Sequence, residues 1–99
     1  APTALSAIAH DKSVELHWPA VAIPAGAKLV GYQIYRREAD QPYLPRPINL
    51  RPVKKHMFSD FGLQNSRTYY YRIRSLFNFG GQMLESLPSV EISSQPVAG

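Results

Sequence analysis

The residues able to do chemistry are spread along the chain and form no recognisable catalytic or metal-binding motif. His10, His17 and His56 lack the spacing of metal ligands, and the sequence has no Cys, so it predicts no metal site. Asp11 and Asp60 stand at turn-type positions, where an aspartate usually bonds its own turn. No nucleophile, general base and orienting group can be assembled from these residues. We therefore expect a protein that is not an enzyme and that holds no metal or cofactor.

The sequence indicates binding through charge and aromatic rings more strongly than catalysis. The residues concerned are 68–76, which read Thr-Tyr-Tyr-Tyr-Arg-Ile-Arg-Ser-Leu. Aromatic and β-branched residues without Gly or Pro predict a strand. A period of two puts Tyr71 and Ile73 on one side of that strand and Arg72 and Arg74 on the other. Because an unpaired buried guanidinium is costly, the arginine side should face water and the other side should face a core.

Further short strands, separated by turn residues, account for most of the remaining chain. Residues 13–18 alternate between apolar and polar side chains, and three prolines exclude a central strand or a helix from residues 38–47. Residues 48–50 are predicted as a short edge strand, and residues 77–85 as a long hairpin loop. No segment has a helical period. The predicted fold class is therefore all-β, an antiparallel sandwich.

The predicted core consists of inward-facing residues in these strands and turns. Trp18 should be its largest side chain. The last strand is placed at residues 88–93, with its β-branched residues inward. The predicted core residues are Leu5, Val14, Leu16, Trp18, Tyr32, Ile34, Phe58, Leu63, Tyr69, Tyr71, Ile73, Val90 and Ile92.

The size and charge of the chain limit the functions to be considered. It has 99 residues, 11 Lys and Arg against 7 Asp and Glu, and a formal net charge of +4. This length suits one domain. The mild basic excess agrees with solubility and becomes a binding signal only where it clusters. No apolar run approaches the roughly 18 residues of a membrane helix, and nothing resembles a base-reading module. We therefore expect no membrane span and no specific nucleic-acid partner.

Five short motifs follow one another along the chain. Preceded by Pro2 and Leu5, they are Val14-Glu15-Leu16-His17-Trp18, Gly31-Tyr32-Gln33-Ile34-Tyr35-Arg36, Phe58-Ser59-Asp60-Phe61-Gly62-Leu63, Thr68-Tyr69-Tyr70-Tyr71-Arg72-Ile73-Arg74 and Ser86-Leu87-Pro88-Ser89. In order and spacing they resemble the fibronectin type III domain, over roughly residues 2 to 94. The second and third motifs are similar to bacterial members of that family.

The resemblance implies an immunoglobulin-like antiparallel sandwich of seven strands, with strands A, B and E facing strands C, C′, F and G. Tyr69 would form a tyrosine corner, with its hydroxyl bonded to backbone just upstream. Residues 1–94 would be the domain, and residues 95–99 read as a C-terminal linker. The implied function is a spacer or interaction module of a larger extracellular or cell-envelope protein, with adjacent domains of that protein as partners. The chain lacks Arg-Gly-Asp, so integrin binding by that motif is not supported.

One candidate binding surface arises because strands C and F are neighbours in this fold. We call it the basic–aromatic face, and it consists of Tyr35, Arg37, Tyr70, Arg72 and Arg74. It is either a site for an acidic polysaccharide, a lipid headgroup layer or an acidic protein, or a solvated sheet face on which arginines lie against tyrosines.

Two further surfaces have a functional and a structural interpretation. Phe79, Met83 and Leu84 either contact a neighbouring domain, such as an enzyme that this domain accompanies, or fold back over the end of the sandwich. The basic, proline-rich residues 46–56 either extend a binding surface or form a solvated loop on a sheet edge, where Lys and Pro discourage aggregation.

Overall fold

Seven strands and no helix make up the computed structural model, which describes residues 2–98. The aromatic and β-branched stretch predicted as a strand forms one from Tyr69 onward, and that strand continues to Phe79. The strands are β1 (Ser6–His10), β2 (Ser13–His17), β3 (Ala27–Glu38), β4 (Met57–Phe61), β5 (Tyr69–Phe79), β6 (Gln82–Glu85) and β7 (Ile92–Ser94).

The strands form two antiparallel sheets that pack face to face. One sheet has the order β1-β2-β4, and the other has the order β3-β5-β6, with β7 also paired to β5. Because β5 pairs with β3, β6 and β7, it organises the larger sheet. The predicted class, an all-β immunoglobulin-like sandwich, is confirmed.

The outer edge of β3 differs from the prediction. Residues 48–50 form no strand, although the Ile48 N–H donates to the Ile34 carbonyl at 2.8 Å and Val53 bonds Tyr32 in both directions. Prolines on both sides of this segment remove backbone donors and prevent a regular ladder. The Asn49 side chain takes over part of the pairing, since its Oδ1 accepts the Ile34 N–H at 2.9 Å.

The predicted hairpin loop is much shorter than expected. Strand β5 continues to Phe79, and only Gly80 and Gly81 separate it from β6, with φ values of 58° and 96°. Two successive positive φ values belong to the tight hairpin turns that match the twist of the strands, and glycine adopts them without strain. The Asn78 side chain accepts the Gly81 N–H at 2.7 Å.

The last strand is also divided, and the predicted inward position of Val90 is wrong. The chain leaves the sheet after β6 and returns as β7. In between, the hydroxyl of Ser89 accepts the Ile73 N–H at 2.9 Å, while the Ser89 N–H donates to the Ile73 carbonyl at 2.8 Å. This local pairing breaks the alternation of the strand, so Val90 points outward and is 71% exposed. Ile92 is partly buried against the core.

The core lies between the two sheets. Trp18 and Tyr32 meet there edge to face, with ring centroids 5.2 Å apart. Phe77, beyond the predicted strand, is also buried. Leu5 and Phe58 are only half-buried against the core. The fully packed cluster consists of Val14, Leu16, Trp18, Tyr32, Ile34, Leu63, Tyr69, Tyr71 and Ile73.

The end of the described chain stays on the sandwich, whereas a linker was expected from residue 95. Pro96 is fully buried, its carbonyl accepts the Ser66 N–H at 2.9 Å, and the Val97 N–H donates to the His10 carbonyl at 3.2 Å. His10 ends β1, while residues 2–5 precede the start of that strand. The two ends of the described chain therefore lie at opposite ends of β1, in a body measuring 45 × 24 × 22 Å.

Candidate functional site

The register of β3 against β5 assembles the basic–aromatic face. Tyr35 lies opposite Arg72, and Arg37 lies opposite Tyr70. The Arg37 guanidinium stands 4.3 Å from the centroid of the Tyr70 ring, and that of Arg74 stands 5.7 Å from the centroid of Tyr35. The five residues grouped by sequence reasoning thus share one face of the larger sheet.

Part of the charge on this face is neutralised by a carboxylate that sequence reasoning missed. Nε and Nη2 of Arg37 both donate to Glu91 at 3.0 Å, and the Tyr43 hydroxyl donates to the same carboxylate at 2.8 Å. The hydrogen bonds from Arg37, which contribute most, and the one from Tyr43 lower the pKa of Glu91 below its usual range. Glu91 stands 54 positions after Arg37 in the sequence, so no local pattern connected them. Arg37 is therefore paired within the protein.

Arg72 is the cation of this face that has neither a salt bridge nor a hydrogen bond among the described residues. Its guanidinium lies 4.7 Å from the centroid of the Tyr43 ring, and within residues 2–98 it forms none of the salt bridges. Arg74, by contrast, donates to the Ser86 carbonyl at 3.1 Å. A guanidinium that lies over an aromatic ring can still donate its N–H groups to an anion.

Arg72 lines a shallow cleft of about 220 Å³ beside β5. The Tyr35 hydroxyl on the cleft wall donates to Glu85 at 2.5 Å. Burial first, and this carboxylate second, raise the pKa of Tyr35 to about 12. Aromatic rings beside a free guanidinium can hold a carboxylate-bearing ligand. The complete lining is Tyr35, Tyr43, Leu44, Pro45, Arg72, Arg74, Glu85 and Pro88.

The apolar residues of the hairpin do not form one patch. Phe79 is half-buried and packs edge to face on Phe77, with centroids 6.2 Å apart. Met83 lies opposite Asn78 and Leu84 lies opposite Phe77. Since neighbouring residues of a strand point to opposite faces, the exposed Met83 and Leu84 lie on different sides of the sheet. The tight turn caused this separation, because it placed these residues in strands.

The prediction that Asp60 bonds its own turn is wrong. It lies opposite Val14 in the ladder and points inward, between the sheets. Its carboxylate accepts Arg36 Nη1 at 2.9 and 2.8 Å and the Tyr71 hydroxyl at 2.7 Å. Burial, and after it the hydrogen bond with Asp60, raise the pKa of Tyr71 above its usual range. Asp60 therefore ties the smaller sheet to the larger one, and every oxygen of the carboxylate is occupied.

The tyrosine corner is present at the end of the sandwich. The Gln64 N–H donates to the Tyr69 hydroxyl oxygen at 2.9 Å. On the outer face of the smaller sheet, Glu15 bonds both His10 and His17. The hydrogen bond with His17, followed by that with His10, lowers the pKa of Glu15. Across residues 2–98 no group of three or more His, Cys, Asp or Glu could hold a metal ion, and no helix there could span a membrane.

Solved structures of other proteins have a similar architecture over nearly the whole chain. No family model and no curated protein matches the chain. An Fn3-like protein from Clostridium thermocellum superposes with a TM-score of 0.71 and 26% identity, covering 96% of this chain and 90% of that one. A beta-1,2-glucanase from Parabacteroides distasonis (TM-score 0.69, 24% identity) covers 98% of this chain, which corresponds to 12% of the glucanase. A myokine structure has a TM-score of 0.72 at 13% identity, with coverage of 98% and 96%.

Together with the two-sheet strand order and the hydrogen bond that Tyr69 makes at its corner, the likeness to the Fn3-like protein shows that the chain has a fibronectin type III-like fold.

Proposed function

We propose that this domain is a non-enzymatic spacer and interaction module of a larger extracellular or cell-envelope protein. The observation that carries this proposal is its geometry: the ends of the described chain lie at opposite ends of β1, and the two sheets of the 45 Å body are joined by the buried Asp60. Such a body holds the domains before and after it at a set separation. The glucanase, in which a similar fold occupies 12% of the chain, supports a role as a module among other domains.

A distance measurement between the two ends tests the spacer role. The chain has no Cys, so Thr3→Cys and Val97→Cys give two unique positions for spin labels on exposed residues. We expect one narrow distance distribution that stays unchanged up to the unfolding transition, and a broad one in denaturant. A broad or multiple distribution under native conditions would contradict the rigid spacer.

A second candidate function is binding of an acidic sugar in the cleft beside β5. The observation that favours it is the Arg72 guanidinium, which lies on the Tyr43 ring and has no carboxylate partner among the described residues. A uronate carboxylate could take the free N–H edge of Arg72 while the sugar ring lies against tyrosine and proline side chains. The pairing of Arg37 with Glu91 limits this candidate to the cleft.

Titration with uronate oligosaccharides and with neutral oligosaccharides of equal length, followed by NMR, tests this second candidate. We expect shifts at Arg72 and Tyr43 with the uronates only, and their loss in Arg72→Gln. Arg67→Gln is the matched control, because it removes the same charge from an exposed pair elsewhere. Shifts that persist in Arg72→Gln, or that appear equally with neutral sugars, would rule this candidate out.

A further inference from the structure

The net charge of the domain is concentrated in one segment, residues 46–56. Residues 41–57 contain Arg46, Arg51, Lys54 and Lys55 and no Asp or Glu. The remaining Lys and Arg number 11 − 4 = 7, which equals the 7 Asp and Glu of the whole chain. Outside this segment the formal charge is therefore zero, and the whole excess of +4 lies along the outer edge of β3.

These four cations are exposed, and their charge is not compensated inside the domain. None of them takes part in a salt bridge among residues 2–98. Four acidic residues are paired with basic side chains elsewhere. We name residues 46–56 the basic edge. Its charge remains available to a partner of opposite sign.

The backbone of the basic edge is held in place by hydrogen bonds near both of its ends. The Asn49 amide donates to Gln33 Oε1 at 2.8 Å and to the Arg51 carbonyl at 2.7 Å. At the far end, the His56 carbonyl accepts the Trp18 N–H at 3.1 Å. The Asn49 side chain is bonded toward β3, whereas the next side chain, Leu50, is 102% exposed.

We propose that the basic edge docks on the surface of an anionic phospholipid bilayer. Lys and Arg attract phosphate headgroups, and a protruding aliphatic side chain can enter the boundary of the acyl chains. The basic edge contains both kinds of side chain, since the fully exposed Leu50 is followed directly by Arg51. It contains no Phe, Tyr or Trp on which a sugar ring could stack, which favours a lipid surface over a polysaccharide.

Vesicle co-sedimentation of the whole chain tests this inference. The probes are vesicles of phosphatidylcholine with phosphatidylglycerol, and of phosphatidylcholine alone. We expect binding to the anionic vesicles only, weakening as salt rises. Lys54→Gln/Lys55→Gln should weaken it about 30-fold, or roughly fivefold for each lysine near the surface. The matched control is Lys12→Gln/Arg67→Gln, which removes two exposed charges outside the edge and should weaken binding less than about fivefold.

Leu50→Ser separates lipid docking from attraction by charge alone. The side chain is fully exposed, so the variant should unfold at the same temperature as the parent. We expect about tenfold weaker vesicle binding, a loss that persists at high salt because it is apolar. Absence of vesicle binding, equal binding by Leu50→Ser and parent, or equal losses in the two double variants would overturn the proposal. Binding to a soluble acidic polysaccharide as tight as to vesicles and indifferent to Leu50→Ser would also overturn it.

Discussion

Asp60 shows how much one buried carboxylate contributes at the scale of the residue. It stands in β4, and its partners Arg36 and Tyr71 stand in β3 and β5, so its three hydrogen bonds of 2.7 to 2.9 Å all cross between the sheets. A buried charge is tolerated when its oxygens are satisfied, and removal of one partner leaves an uncompensated group. The network therefore defines how the sheets sit on each other.

Tyr71→Phe should lower the free energy of unfolding by about 1–3 kcal/mol, because it removes one hydrogen bond from the buried Asp60 carboxylate. Chemical denaturation measures the change. Tyr32→Phe is the matched control, since the Tyr32 hydroxyl is equally buried but has no hydrogen-bond partner among residues 2–98. We expect little loss in the control. Similar losses in both variants would mean that the contact with Asp60 adds nothing to stability.

At the scale of the element, Asn49 replaces a strand that the prolines prevent. Its side chain satisfies the Ile34 N–H and bonds Gln33 and Arg51. We expect Asn49→Ala to cost about 1–3 kcal/mol of stability. Amide hydrogen exchange should become faster at Ile34 and along residues 48–53. Leu50→Ala is the control, because that exposed side chain makes no such bonds. Unchanged protection at Ile34 would show that the segment is held without Asn49.

The hairpin of β5 and β6 supports a second test at this scale. Phe79 is half-buried on the ring of the buried Phe77, so Phe79→Ser should destabilise the isolated domain by about 1–3 kcal/mol. Met83→Ser, on an exposed side chain, should have little effect on stability. Thermal unfolding compares the two variants. If Phe79→Ser left stability unchanged, Phe79 would belong with Met83 and Leu84 as a candidate contact with another domain.

At the scale of the whole molecule, the tyrosines link stability to alkaline pH. Burial and Glu85 raise the pKa of Tyr35 to about 12, against roughly 10 in an unfolded chain. Between these values the folded state binds more protons than the unfolded state. The resulting stabilisation is complete below about pH 10 and is lost as the pH rises through about 12. Tyr43 and Tyr71 act in the same direction, because their pKa values are also raised by burial.

Tyr35→Phe should therefore weaken the decline of stability between about pH 10 and about pH 12. Denaturant unfolding at a series of pH values across that window measures the slope. Tyr70→Phe is the matched control, since its hydroxyl forms no hydrogen bond among the described residues and its ring remains under Arg37. An identical slope for Tyr35→Phe and the parent would contradict the role assigned to the Tyr35 hydroxyl.

The pattern of residues by itself determined the class of the fold and most of the core. An alternating strand has two faces because of backbone geometry, so Tyr71 and Ile73 could be assigned inward and Arg72 and Arg74 outward without knowledge of any partner. The tyrosine corner at Tyr69 followed from the family resemblance, and its hydrogen bond is confirmed. These inferences needed only local order along the chain.

The tertiary structure alone decided which distant groups meet. Glu91 neutralises Arg37 across 54 positions of sequence, Asp60 turns inward to Tyr71, and Ser89 directs Val90 into water. Each depends on the register between strands and on where the last strand leaves the sheet. A period of two assigns a side chain to a face but carries no information on its neighbour across the sheet. Only the tertiary structure could therefore show that Arg72 and the basic edge have no acidic partner among the described residues, because this depends on which basic residues pair with the acidic ones.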